Sequence, residues 1–143
     1  MASFPARIVT PERILLEEEV AAVMLRTAEG DATYLAGHTS LVGAVVPGLV
    51  RFEQEDGTVH RVAVHGGFVQ VEGDGVVVLA PEAELAAEID AARAQLALET
   101  AENRLAALGA AGVSEGERGD AELTEAQAAK RRAEVRLEVA GPA

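Results

Sequence analysis

Few residues in this sequence could do chemistry, and they are easily named. The imidazoles are His38, His60 and His65. None stands in a metal-ligand spacing such as His-Glu-x-x-His, where two rings share one helix face. His60 and His65 fall on one expected strand, and a five-residue offset puts them on opposite faces. They read as polar strand or turn residues, so no metal site is expected. Glu17-Glu18-Glu19 reads as solvated edge charge and not as a catalytic carboxylate pair. Gly66-Gly67 stands between strand-like runs, where a tight corner explains it better than a phosphate cradle. There is no Walker loop, nucleophile elbow or dinucleotide fingerprint. The absence of cysteine excludes disulfides, thiolate metal sites and cysteine nucleophiles. No catalytic residues are expected, and the chain reads as an interaction or regulatory protein.

Two charged groupings remain. Asp90 and Arg93, three apart on an expected helix, can form a surface ion pair worth about 0.2–0.5 kcal/mol. Lys130, Arg131, Arg132 and Arg136 form a basic cluster within two helical turns. Such a cluster steers binding to acidic surfaces. It is equally what a solvated helix face near its C-terminus carries, because the dipole favours cations there.

The elements that must position these residues divide into two halves with different periods. The chain has 143 residues, 49% hydrophobic and 25% charged, which is a globular composition. Aromatics are only 3%, so the core must be built from Val, Leu, Ile and Ala. The net charge of -12 argues against a nucleic-acid partner. No apolar run is long enough to span a bilayer, and the opening residues lack an apolar signal region. Membrane insertion is therefore not expected, and the cytoplasm is the expected compartment.

Up to residue 81, short Val/Ile/Leu-rich runs at 7–10, 13–17, 20–27, 41–46, 49–53, 59–65, 68–71 and 76–79 read as strands. Thr10-Pro11, Glu29-Gly30-Asp31, Pro47-Gly48, Asp56-Gly57, Gly66-Gly67 and Gly73-Asp74-Gly75 divide them. Strands this close together, with no helix-length segment between them, predict an antiparallel sandwich or barrel. The composition changes at Pro81, which suits a first helical position. A helix is expected over 82–108, with Leu85, Ile89, Ala92 and Leu96 on one stripe. Leu98, Ala101, Leu105 and Leu108 continue on a shifted one. Gly109 and Gly112 should stop it, and a polar loop with Gly116 and Gly119 should follow. Thr124 and Gln127 form a capping-box pattern that should open a second helix. Its apolar face would be Ala126, Ala129, Ala133 and Leu137, and Gly141-Pro142 would end it. The expected domains are thus a sandwich over 1–81 and an antiparallel helical hairpin over 82–143. Narrow, Ala-rich stripes bury little surface, so the hairpin should be only marginally held.

An ordered set of segments carries a family resemblance. It comprises Ile8-Val9-Thr10-Pro11-Glu12-Arg13, then Arg26-Thr27-Ala28-Glu29-Gly30-Asp31, Gly37-His38 and Pro47-Gly48. Further on come His65-Gly66-Gly67-Phe68-Val69-Gln70-Val71, and Val76-Val77-Val78-Leu79-Ala80 with Glu84 and Ile89-Asp90-Ala91-Ala92-Arg93-Ala94. Together they resemble the epsilon subunit of bacterial F-type (H+-translocating) ATP synthase over nearly the whole chain. Two departures are visible. Thr33-Tyr34-Leu35-Ala36-Gly37-His38 lacks the family's proline, and Ala80-Pro81 stands where many members carry Asp-Thr.

The resemblance implies a sandwich of about ten antiparallel strands followed by two helices. It implies a non-catalytic subunit of the central stalk, bound to gamma, resting on the c-subunit ring and reaching the alpha/beta catalytic head. It would sit at the cytoplasmic face of the membrane, coupling ring rotation to ATP synthesis. The hairpin would inhibit ATP hydrolysis when extended. By the same resemblance Asp31 and His38 face the c ring, and Lys130, Arg131, Arg132 and Arg136 meet the beta subunit. Glu84, Ile89, Asp90, Arg93 and Ala94 match positions that bind ATP in some members, so no cofactor is required and ATP would be a regulatory ligand. The further basic residue of good binders is missing, since Leu98, Glu99 and Thr100 stand there and the next cation is Arg104. The alternatives are an ATP-sensing member of the same family, or an unrelated β-sandwich interaction module.

Overall fold

The computed structural model of the chain describes residues 3–73, 75–110 and 117–141. Asp74, Gly112, Gly116 and Pro142, named above as turn, loop or stop signals, lie outside these residues. The chain divides into two compact units, Met1–Glu88 and Ile89–Ala143.

The first unit is built from strands β1 (Phe4–Val9), β2 (Ile14–Val20), β3 (Ala22–Thr27), β4 (Gly30–Leu35) and β5 (Leu41–Val45). They are followed by β6 (Gly48–Glu53), β7 (Val59–Val64), β8 (Gly67–Glu72), β9 (Gly75–Leu79) and β10 (Ala83–Leu85). Hydrogen bonding orders them β10-β7-β6-β3-β5-β8-β9-β1-β2, with β4 paired to β3 beside that path. Among the described residues every ladder is antiparallel except β1 with β9. Parallel pairing needs a long connection, and almost the whole unit separates these two strands. Pro5, which has no N–H to give, lies just before the stretch of β1 that pairs with β9.

The two ends of this path meet, so the sheet curls back on itself. The Ala21 N–H donates to the Glu53 carbonyl at 2.7 Å. Gln54 Nε2 donates to Glu18 Oε2 at 3.3 Å. Arg13, just before β2, grips Glu88, just after β10, at 2.9 Å. Inside, alternate residues of these Val/Ile/Leu-rich runs form a core. Ile8, Val23, Phe52, Val62, Val69 and Val78 are completely buried.

Two strands escape the sequence reading. In β4 only Tyr34 is buried, so the apolar pattern is too thin to see. A tight hairpin makes it instead, with Gly30 at a φ of 124°. Strand β10 lies inside the stretch expected to be helical from Pro81. There the Ala/Glu helix preference is overridden by the edge of β7, which pairs Ala83 with Val64 and Leu85 with Val62. Ala83 and Leu85 also pack on the core. A 3-10 turn, Ala86–Glu88, completes the unit. The units therefore part at Glu88/Ile89 and not at Pro81.

The second unit contains α1 (Ala91–Ala110) and α2 (Glu117–Ala140), which pack against each other. Asp90 starts α1: its Oδ1 accepts the Arg93 N–H at 3.1 Å, and its carbonyl accepts the Ala94 N–H at 3.0 Å. The inward stripe is Ala94, Leu98, Ala101, Leu105 and Leu108. The expected earlier stripe is not there, because Leu85 and Ile89 precede the helix and Leu96 is 65% exposed. Gly109 lies within α1, and α2 starts ahead of Thr124, which is exposed inside it and caps nothing. Gly119 is buried in α2, in line with Ala126 and Ala133 at seven-residue steps. Small residues at that spacing let helices approach closely. Val135 and Val139 add completely buried side chains. Gly141 donates its N–H to the Leu137 carbonyl at 3.0 Å and closes α2.

Candidate functional site

The sandwich carries an apolar band on the wrong side of its sheet. Cross-strand registers place Ala44 beside Phe68, Phe68 beside Leu79, Leu79 beside Val9, and Val9 beside Ile14. Residues paired in register share a face, so these form one row across β5, β8, β9, β1 and β2. The face is the outer one: Phe68 is 57% exposed, Ile14 52% and Leu79 45%. Val42, two residues before Ala44 and on the same face, is also exposed. A shallow groove of about 630 Å³ runs beside the row, lined by Thr10, Pro11, Gly67 and Pro81 among others. A continuous exposed apolar band of this kind marks a docking surface. The sequence held the signal. In Phe68-Val69-Gln70-Val71-Glu72 the valines are inside, so the phenylalanine shares a face with Gln70 and Glu72.

A second, polar cleft of about 710 Å³ opens between the β3–β4 hairpin and β5. Asp31 and His38 both line it, with Thr27, Glu29, Tyr34 and the stretch from Leu41 to Ala44. Asp31 Oδ1 accepts from Arg26 Nε at 3.1 Å. Thr27 Oγ1 donates to the Gly30 carbonyl and accepts the Glu29 N–H, which fixes the hairpin turn. His38 packs its ring edge to face on Tyr34. Burial of Tyr34 pushes its hydroxyl pKa above the ordinary value.

The candidate nucleotide residues fall on both sides of the division between units. Glu84 belongs to β10, where its Oε1 lies 3.2 Å from Nε2 of the nearly buried His65. Glu82, Glu84 and His65 have side-chain donor atoms within 4.8 Å of one another. Ile89, Asp90, Arg93 and Ala94 belong to the helical unit. Asp90 is engaged as the cap of α1, Ala94 is buried, and Arg93 is exposed. Glu88, between the two groups, is held below the ordinary carboxylate pKa, first by its bond to Arg13 and then by the Leu85 N–H. On α2, Lys130, Arg131, Arg132 and Arg136 are all half-buried, and Arg132 bonds Glu125 at 2.9 Å. No described helix is long and apolar enough to cross a membrane.

Comparison with known proteins places this architecture. The family described as ATP synthase, Delta/Epsilon chain, beta-sandwich domain matches residues 3–86. The companion long alpha-helix domain of the same chain matches residues 87–141. An ATP synthase epsilon chain of Desulforudis audaxviator is 49% identical over 100 residues, covering 70% of this chain and 72% of the relative. That of Symbiobacterium thermophilum is 40% identical over 142 residues, covering 99% and 95%. Among solved structures, a chain in the Euglena gracilis mitochondrial ATP synthase (OSCP/F1/c-ring in rotational state 1) superposes with a TM-score of 0.79. It is 30% identical and covers 98% of this chain and 82% of that one. A chain in the Tetrahymena thermophila mitochondrial ATP synthase central stalk and c-ring shares the fold, with a TM-score of 0.55 at 13% identity. The family's two domains, one after the other, thus account for nearly every described residue, and the chain belongs to the ATP synthase epsilon-chain family.

Proposed function

We propose that this chain is the non-catalytic epsilon chain of the central stalk in an F-type ATP synthase. The apolar band holds the gamma subunit, and the Asp31–His38 cleft faces the c ring. The observation that carries this reading is the row Ala44, Phe68, Leu79, Val9 and Ile14. It is an exposed apolar row on an otherwise acidic chain, suited to a permanent partner. Coupling then needs no chemistry from this chain, only a stiff body between ring and head, and the closed sandwich supplies that. Its place is peripheral, at the cytoplasmic face of the bacterial membrane, held there by the complex.

The helical unit is the regulatory part of this proposal. Small residues, Ala94, Ala101, Ala126 and Ala133, hold many of its buried positions, and Lys130, Arg131, Arg132 and Arg136 supply positive charge suited to an acidic segment of the beta subunit. In this reading it inhibits ATP hydrolysis. An epsilon-depleted catalytic head titrated with the full chain and with a chain ending at Glu88 tests it. The full chain should inhibit, and the shortened chain should bind without inhibiting. Equal inhibition by both would remove the helices from the regulatory role, and failure of both to bind would remove the stalk assignment.

A nucleotide-sensing role has one observation in its favour. Arg93 is exposed in the first turn of α1, where helix N–H groups also favour an anion. ATP titrated calorimetrically into the full chain and into Arg93→Ala tests it. Binding that survives the substitution, or no binding at all, ends that reading.

A further inference from the structure

Strand pairing at the end of the sandwich unit gathers one imidazole and two carboxylates. Strand β10 runs antiparallel to β7, with Ala83 opposite Val64 and Leu85 opposite Val62. One residue further along that register, His65 meets Glu82, and its backbone N–H donates to the Glu82 carbonyl at 3.1 Å. Glu84 follows two positions after Glu82, on the same side of the extended chain. Each of the three side chains offers one ligand atom, and these atoms all lie within 4.8 Å of one another. No short motif announces the grouping, because 19 positions separate His65 from Glu84. Only the pairing of β10 with β7 brings them together.

The grouping has the dimensions of a small metal site. The His65 side chain is 3% exposed, so packing fixes the ring, and Glu84 beside it is 29% exposed. Nε2 of His65 lies 3.2 Å from Oε1 of Glu84. Ligands about 2.0–2.2 Å from one zinc ion stand about 2.9–3.4 Å from each other, so this pair already has that spacing. Glu82 is exposed, which leaves its carboxylate room to rotate inward and gives an ion a way in from solvent. Two carboxylates and a neutral imidazole carry two negative charges, which a divalent cation neutralises on a chain whose net charge is already -12. Imidazole nitrogen with carboxylate oxygen suits zinc and the neighbouring transition ions. Magnesium and calcium prefer shells made of oxygen alone.

We propose that His65, Glu82 and Glu84 bind a divalent transition-metal ion of the zinc class, which staples β10 to the end of β7. Three protein ligands leave the fourth position to water. The His65 N–H bond to the Glu82 carbonyl ties two of the ligand residues together through the backbone. β10 is the last strand before the units part, so the ion tightens the final segment of the sandwich.

Calorimetric titration of the tag-free, chelator-stripped full chain with zinc chloride tests the site, with magnesium chloride as the comparison. One zinc per chain should bind, at least about tenfold more tightly than magnesium. Glu82→Gln and Glu84→Gln should each weaken zinc binding at least about tenfold. The His65 ring is buried, so its part is read by NMR on the unaltered chain. Zinc should shift the His65 ring signals and leave those of His38 and His60 in place. Amide exchange at Ala83 and Leu85 should slow when zinc is added. No zinc binding, or zinc binding that both glutamine variants keep, overturns the proposal. So does zinc that moves His38 or His60 but not His65, or magnesium that binds as tightly as zinc. Unchanged exchange at Ala83 and Leu85 with zinc bound overturns the staple.

Discussion

Replacing Gly67 with alanine should cripple the sandwich, and the size of the effect can be worked out. Gly67 opens β8 at a φ of 124°, where a side chain is strained whatever its surroundings. A Cβ built there overlaps the Leu79 carbonyl oxygen and lies 3.0 Å from Ala80 Cα and 3.1 Å from Leu79 C. All of these are backbone atoms of the neighbouring strand or its end, so no side chain can swing away. The dihedral strain costs about 1–3 kcal/mol. The overlap adds about 1–3 kcal/mol, as overpacking does elsewhere. Against a total stability of about 5–15 kcal/mol, a combined loss of about 2–6 kcal/mol is severe. Gly30 provides the control, because it has the same φ of 124° with nothing within 4 Å of its Cβ. Gly30→Ala should lower the melting temperature by about 5–10 °C, and Gly67→Ala by at least about 15 °C. The measurement is thermal unfolding by circular dichroism in the strand region. If the two variants melt together, the overlap contributes nothing and the reasoning fails. Gly67→Ala should also pry β8 from β9 where Phe68 meets Leu79, and so weaken gamma binding before the protein unfolds.

Phe68→Ala removes an exposed side chain, so stability should change by less than about 0.5 kcal/mol. Affinity for gamma, followed by surface plasmon resonance, should nevertheless fall at least about thirtyfold if this ring is the centre of the interface. Asp90→Ala should cost α1 about 1 kcal/mol by removing its cap. Amide exchange at Arg93 and Ala94 should quicken while the sandwich amides stay as they were. Ala133→Leu forces a branched side chain into a completely buried position of α2 and should lower helical stability by about 1–3 kcal/mol, read from the helix signal on urea titration. Glu88 gives a pH signature. Its folded pKa is depressed, so the stability it contributes is present above the unfolded carboxylate value near about 4.3 and is lost as pH falls through the lower folded value. The pair with Arg13 is largely exposed, so the amount is at most about 1 kcal/mol, and Glu88→Gln should remove that part of the acid dependence of denaturation.

What could be read from the residues depends on which force shapes each element. Strand β8 is visible because its burial pattern is close to its sequence pattern, with an inward valine at every second position, and β9 is visible as an unbroken apolar run bounded by glycine. Strand β4 is invisible to that test, since one buried tyrosine makes no period, and a turn with a glycine at positive φ makes the strand instead. Strand β10 is worse than invisible. Ala83-Glu84-Leu85 has good helix formers, and only the open edge of β7, set by residues some twenty positions earlier, makes them extended. The same nonlocal edge moves the start of α1 to Asp90, whose carboxylate then finds the Arg93 N–H. Thr124 fails as a cap for the opposite reason. It matches the capping box, but α2 runs through it, and the buried positions Gly119, Ala126 and Ala133 keep one seven-residue register on both sides of it. Register between packed helices outweighs one cap, which contributes only about 1 kcal/mol.

The functional surfaces divide along the same line. Asp31 and His38 were singled out only by the family resemblance, and the fold sets both on the lining of one cleft. The apolar band was not, because each member is an ordinary strand residue. Only the registers of β5, β8, β9, β1 and β2 align Ala44, Phe68, Leu79, Val9 and Ile14 into one row. A surface assembled by pairing across strands leaves just one trace in the linear sequence: an aromatic side chain at a position whose alternation belongs to solvent. Phe68 is that trace, and the solvent side of a strand is where to look for partners in other small sandwiches whose few aromatics are not all needed inside.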